Sequence, residues 1–140
     1  MKSAIIIRYC EIHLKGKNRG HFEKLLKDNI KRSLKGINFT FTALHSRYLI
    51  EDYDEFDYEL ITEKLKKIAG IHTYSKALVA ENDLDSIFEA AKELCADKSG
   101  TFKVITNRAD KFFTPNSMET SMLIGGRLLE CYGDKLSVDV

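Results

Sequence analysis

The sequence predicts an α+β (α/β) chain in two parts: a β-α-β-β-α-β domain over residues 1–80, then a partial α/β domain over residues 81–140. Three observations carry that expectation. Short runs of β-branched or alternating apolar residues are separated by stretches with helical periodicity. Gly36 and Gly70 stand at the ends of two such stretches, where a left-handed residue closes a helix. A polar segment at Asn82 and Asp83 divides one complete set of elements from the next.

Residues 3–9 form a short apolar run rich in branched side chains, as expected of a strand buried on both faces. A polar loop centred on Gly16 follows, and Asn18 is placed to cap a helix. From about residue 19 to residue 35, Phe22, Leu25, Leu26, Ile30 and Leu34 recur at helical spacing toward a core. Lys24, Lys27, Lys31 and Lys35 recur at the same period and form a stripe pointing away from it. Residues 39–44 and 47–51 read as two strands, with His45 and Ser46 suited to a tight hairpin. Residues 57–69 form the next helix, with Leu60, Ile61, Leu65 and Ile68 inward, and residues 74–79 supply a fourth strand. This order is the ferredoxin-like arrangement, in which two helices cover one face of a four-stranded antiparallel sheet.

In the second part, Leu84, Ile87, Phe88, Ala91, Leu94 and Cys95 mark a helix that ends at Ser99 and Gly100. Residues 101–106 read as a strand leading into Asn107-Arg108-Ala109-Asp110-Lys111. After Pro115, either Asn116 or Ser117 can cap a helix running to about Tyr132. Gly125 and Gly126 inside that helix cost ~1 kcal/mol each relative to alanine, which points to close approach of another backbone. Gly133 and Asp134 make a turn, and residues 136–140 begin a strand at the end of the sequence, as expected of a segment cut from something longer.

Apolar residues make up 44% of the 140 and charged residues 31%, the balance of a soluble globular protein. No apolar run approaches the ~20 residues of a membrane-spanning helix, and the first residues lack a secretory signal, so a cytoplasmic protein without membrane contact is expected. Cys10, Cys95 and Cys131 are far apart and form no Cys-x-x-Cys pair, so they read as packing residues. His13, His21, His45 and His72 lack the spacing of a helical metal site. Nucleophile-elbow, Walker and dinucleotide patterns are missing, so no catalytic centre, metal or cofactor is expected within these residues.

The net charge of +1 hides a division along the chain. Residues 1–35 hold ten Lys/Arg against three Asp/Glu, and residues 36–100 hold seven against thirteen. That asymmetry points to a polyanion docking on one face, although any single lysine also serves to solvate a helix. Three groups are candidates for such contact. Lys15, Lys17 and Arg19 surround Gly16 and Asn18 at a helix start, where unpaired amides and the helix dipole add positive potential; a plain basic turn is an equal alternative. Lys24, Lys27 and Lys31 continue that charge along the helix. Asn107, Arg108 and Lys111 lie between a strand and a helix start, with Phe112 or Phe113 able to stack on an unpaired base. Phe113 is better read as a core residue, and Asp110 as a partner of Arg108 or a turn cap.

Residues 7–19 (Ile-Arg-Tyr-Cys-Glu-Ile-His-Leu-Lys-Gly-Lys-Asn-Arg), followed by Phe22, Glu23 and Leu26, resemble the opening of tRNA 4-thiouridine synthases, also called tRNA sulfurtransferases. Phe102, Lys103 and Val104 through Arg108, Asp110, Lys111, Phe112, Ser117, Met118, Glu119 and Gly125 resemble the THUMP signature of the same family. The resemblance implies a ferredoxin-like domain over residues 1–80 and a THUMP domain over residues 81–140, truncated at its end, that together hold tRNA by its acceptor end. It makes Arg8, Lys15, Lys17, Asn18, Arg19, Lys103, Asn107, Arg108 and Lys111 the contacts to expect. It also implies ATP- and Mg-dependent adenylation and sulfur transfer in a downstream PP-loop domain, with a further role in thiamine synthesis. Cys10 stands where the family usually has glycine. Missing THUMP strands would leave a sheet edge exposed, so a homodimer is expected. The readings that compete are a ferredoxin-like module binding a small regulatory molecule and an enzyme working through one of the three cysteines.

Overall fold

The computed structural model describes residues 2–9, 18–44, 46–109 and 112–138. In chain order the elements are β1 (Lys2–Tyr9), α1 (Asn18–Ser33), β2 (Thr40–Leu44), β3 (Arg47–Glu51), α2 (Tyr58–Leu65), β4 (Ile71–Val79), α3 (Leu84–Cys95), β5 (Gly100–Phe102), α4 (Ser117–Tyr132) and β6 (Leu136–Val138). A 3-10 turn over Glu55–Asp57 leads into α2. The chain divides into two compact units, Lys2–Ala77 and Leu78–Val140.

The first unit has the ferredoxin-like layout. Its sheet runs β2-β3-β1-β4, with β3 antiparallel to both β1 and β2. Side chains alternate across a strand, so the register decides which residues share a face. Ile5, Ile7 and Tyr9 of β1 and Tyr48 and Ile50 of β3 face a core completed by Leu26, Ile30 and Leu34 of α1 and by Ile61 and Leu65 of α2. Burying each such side chain contributes ~1.5–3 kcal/mol. The Tyr48 ring lies 4.8 Å from that of Tyr9 and 4.9 Å from that of Phe41.

Helical periodicity alone gives α1 and α2 a broader inward face than they have. Leu25 and Leu60 are 50% and 48% exposed. Each precedes a buried neighbour (Leu26, Ile61), and a step of ~100° carries it off the inward arc. Helix α1 begins at Asn18 itself, which makes Asn18 its first residue rather than the residue before it. Beyond Ser33 the Leu34 amide still bonds the Ile30 carbonyl at 3.0 Å, and Gly36 at φ 92° ends the tail. Helix α2 stops at Leu65, four residues short of expectation, because the Lys67 and Ile68 amides bond Lys64 and Leu65 in tighter turns. Gly70 at φ 99° then turns the chain directly into β4, three residues earlier than the alternation suggested. The two-residue loop between Leu44 and Arg47 is as expected, with Ser46 at φ 60°; His45 lies outside the described residues.

In the second unit, α3 and α4 enclose Ala90, Thr120, Ile124, Leu128 and Leu136. Asp83 caps α3 by accepting from the Ser86 amide, and Asn116, not Ser117, caps α4 by accepting from the Glu119 amide at 2.9 Å. The expected strand over residues 101–106 is shorter. Among the described residues it pairs over Gly100, Thr101 and Phe102, in parallel with Leu136, Ser137 and Val138. Gly125 is buried against a Val104 methyl carbon 3.7 Å from where a Cβ would sit, and nothing approaches Gly126 within 4 Å. The close approach is therefore by a side chain, not a backbone. Leu94, expected to face inward, is 39% exposed.

Candidate nucleic-acid interface

In the first unit the cationic residues fall on two different faces. Arg8 is exposed between the buried Ile7 and Tyr9, so the pleat turns it away from the helices. One guanidinium nitrogen donates to the Ser75 hydroxyl oxygen at 3.2 Å. The lysines of α1 lie in the helix layer on the other side of the sheet. Arg8 and the lysine stripe thus lie on opposite faces of the sheet.

The stripe itself is partly a packing device. Lys24 and Lys31 are exposed and Lys27 is half-buried. The Lys27 and Lys31 ammonium groups sit 5.8 Å and 5.4 Å from the centre of the Phe41 ring. Their methylene stems therefore cover an aromatic ring at the core margin while the charged ends reach solvent. The Arg19 Nε donates to a Glu23 carboxylate oxygen at 2.8 Å, an i, i+4 ion pair in the first turns of α1. Asn18 starts the same helix. Lys15 and Lys17 lie outside the described residues, as do Cys10 and His13.

In the second unit Lys103 and Asn107 are exposed on the segment after β5. Arg108 is half-buried, and its guanidinium donates to the Phe113 carbonyl at 2.9 Å, bracing the loop that leads to α4. Asn107, Arg108 and Phe113 line a groove of about 520 Å³ with Ile87, Val104 and Ile124. Phe113, expected in the core, is half-buried in the groove wall, and Phe112 is 94% exposed. Asp110 and Lys111 lie outside the described residues. Among the described residues no group of three His, Cys, Asp or Glu side chains is arranged to hold a metal ion, and no helix is long and apolar enough to cross a membrane.

Sequence reasoning passed over Arg47, which stands directly opposite Arg8 in the β1–β3 ladder. Its alternation with Tyr48 was a usable signal, but the β1–β3 pairing joins residues far apart in sequence.

Comparison with known proteins places this geometry. Residues 4–75 match the family model of the ThiI ferredoxin-like domain, and residues 81–140 match that of the THUMP domain. The chain belongs to the ThiI ferredoxin-like domain family. A probable tRNA sulfurtransferase of Clostridium perfringens (strain ATCC 13124) is 39% identical over 142 residues, and one of Clostridium kluyveri (strain ATCC 8527) is 42% identical over 142. Both alignments cover 100% of this chain and 36% of the relative, so the chain spans about a third of the length of these relatives. A crystal structure of a 4-thiouridine synthetase–RNA complex with bound ATP superposes with a TM-score of 0.80 at 33% identity, over 100% of this chain and 36% of that one. PH1313 from Pyrococcus horikoshii Ot3 shares the fold, with a TM-score of 0.71 at 24% identity, over 100% of this chain and 47% of that one. The ThiI ferredoxin-like domain and the THUMP domain thus lie in this chain in the order in which the sequence was read.

Proposed function

We propose that this chain is the tRNA-docking region of a tRNA sulfurtransferase that makes 4-thiouridine, and that it holds the acceptor end of tRNA for a catalytic domain elsewhere in the same protein. The observation that supports this most is the match of the whole chain to the RNA-bound synthetase, together with a basic first segment in which Arg8, Lys24 and Lys31 are exposed. Docking draws on phosphate neutralisation by Arg8, Lys15, Lys17, Arg19, Lys24, Lys27, Lys31, Lys103 and Lys111, with Asn18, Asn107 and Arg108 adding hydrogen bonds or shaping loops. The domain division is placed at residues 80 and 81.

Adenylation and sulfur transfer belong to a downstream PP-loop domain, which would use ATP and Mg. Residues 1–140 contain no Ser-Gly-Gly-x-Asp-Ser loop, so they do not fit that nucleotide and no chemical step passes through them. The whole protein works in the cytoplasm, also supplies sulfur for thiamine synthesis, and pairs as a homodimer through the short β5–β6 sheet of the second unit. A monomer by light scattering at high concentration would remove the last of these.

The decisive experiment is tRNA binding by the chain across a salt series. Affinity is expected to fall steeply with salt. Charge reversal at Lys15, Lys17 and Arg19 together should weaken binding far more than a triple change at Glu59, Glu63 and Lys66. Binding that stays flat between low and moderate salt would overturn the electrostatic mechanism.

A further inference from the structure

We propose that Arg8 and Arg47 form a two-arginine clamp for one phosphate of the nucleic-acid backbone on the face of the four-stranded sheet opposite its two helices. The clamp rests on the docking reading above and adds a contact, Arg47, together with the place where it acts. Arg8 of β1 and Arg47 of β3 are directly opposite in the antiparallel ladder. Each is exposed, and each adjoins residues buried on the helix side (Ile7 and Tyr9 for Arg8, Tyr48 for Arg47), so both guanidinium groups leave the sheet on the face opposite the helices.

Such a pair is unfavourable without a ligand. Opposed residues place their Cβ atoms ~5 Å apart, like charges there repel, and neither arginine can deprotonate to relieve the strain. The same two strands treat charge differently at their other end. There Lys2 of β1 pairs with Glu51 of β3 at 3.8 Å and with Asp52 just beyond it. At the Arg8–Arg47 end no carboxylate among the described residues answers. Arg8 has only the Ser75 hydroxyl, and the Arg47 guanidinium has no ion-pair or hydrogen-bond partner among the described residues.

Across the sheet order β2-β3-β1-β4, Leu44, Arg47 and Arg8 form one row and the Ser75 hydroxyl of β4 meets Arg8, so the two forks are flanked by a hydroxyl on one side and an apolar residue on the other. Two guanidinium forks at this separation match the tetrahedral oxygens of a phosphate, each able to bond in a bidentate fashion. The row lies where β1 runs on toward Lys15 and Lys17 in the sequence, which favours a phosphate of a polynucleotide over a free anion.

The test uses Arg47→Gln, Arg47→Lys and, as comparator, reversal of Lys24, Lys27 and Lys31. Log affinity for tRNA is plotted against log salt for each, alongside melting temperatures with and without inorganic phosphate. Arg47→Gln should lower the slope by about one phosphate's worth, weaken binding, and melt at or above the wild-type temperature because a like-charge pair is relieved. Arg47→Lys should keep the slope but lose the bidentate part of the affinity. A wild-type slope in Arg47→Gln, with a reduced slope in the lysine comparator, would sink the clamp while leaving tRNA docking intact. Loss of binding together with a lower melting temperature would assign Arg47 a structural role and overturn the clamp. A phosphate-induced melting shift lost in Arg47→Gln, with the tRNA slope unchanged, would make this a free-anion site and overturn the nucleic-acid assignment. Absence of tRNA binding by the wild type would remove the docking reading itself.

Discussion

The hydroxyl of Tyr48, on β3, donates to the backbone carbonyl of Glu23, on α1, at 2.9 Å, tying the sheet to the basic helix across a core in which Tyr48 is 2% exposed. Burial pushes the Tyr48 phenol up to about 12, with Tyr9 and the Glu23 carboxylate adding to the rise.

The sign of the resulting pH dependence is definite. The folded chain holds this proton more tightly than the unfolded chain, whose tyrosines ionise near ~10. The stabilisation is therefore full below pH ~10 and is lost as pH rises toward about 12. Tyr48→Phe keeps the ring and should cost ~1 kcal/mol at neutral pH by losing the hydrogen bond. It should also flatten the alkaline decline in urea midpoint. The decline will not vanish, because Tyr53 and Tyr58 are raised by burial as well.

Gly36 and Gly70 both adopt positive φ, but only one is crowded. A Cβ at Gly70 would lie 3.1 Å from the Phe22 ring and 3.4 Å from Leu26, whereas nothing lies within 4 Å at Gly36. Gly36→Ala should cost ~1 kcal/mol through backbone strain alone. Gly70→Ala should cost clearly more, and Phe22→Leu should recover part of the difference in chemical denaturation.

Asn116 meets Glu119 twice at the start of α4. Its side-chain oxygen accepts from the Glu119 amide, and its side-chain nitrogen donates to the Glu119 carboxylate at 3.3 Å. Asn116→Ala should destabilise the second unit by ~1 kcal/mol. Asn116→Asp should be nearly neutral, since the backbone bond survives. Hydrogen exchange at the start of α4 reads both.

The lysines over Phe41 are separable into packing and RNA roles. Lys27→Gln with Lys31→Gln should lose ~1 kcal/mol in the wild type and almost nothing in a Phe41→Leu background. The tRNA salt slope should drop equally in both backgrounds, because phosphate contact does not need the ring. A slope change only where Phe41 is present would mean that these lysines act by holding the helix.

The element order, the core residues at positions 26, 30, 34, 61 and 65, the hairpin and the helix-ending glycines were legible because each follows from local periodicity or local backbone chemistry. The misread positions share a different cause. Leu25 and Leu60 look inward on a helical count, yet burial depends on where the sheet lies relative to the helix. Residues 103–106 have strand-like side chains, yet a strand exists only where a partner supplies a ladder, and the described pairing joins Gly100, Thr101 and Phe102 to Leu136, Ser137 and Val138.

The candidate interface divides in the same way. The sequence by itself determined that positive charge is concentrated in residues 1–35 and that it sits on a strand end, a loop and a helix, since charge and periodicity belong to the chain. Only the tertiary structure decided that Arg8 and the α1 lysines occupy opposite faces of one sheet, and that Arg47 stands beside Arg8. The physical reason is that strand pairing between β1 and β3 joins residues some forty positions apart, and its register is set by burying Ile5, Ile7, Tyr48 and Ile50 together rather than by anything at the arginines themselves.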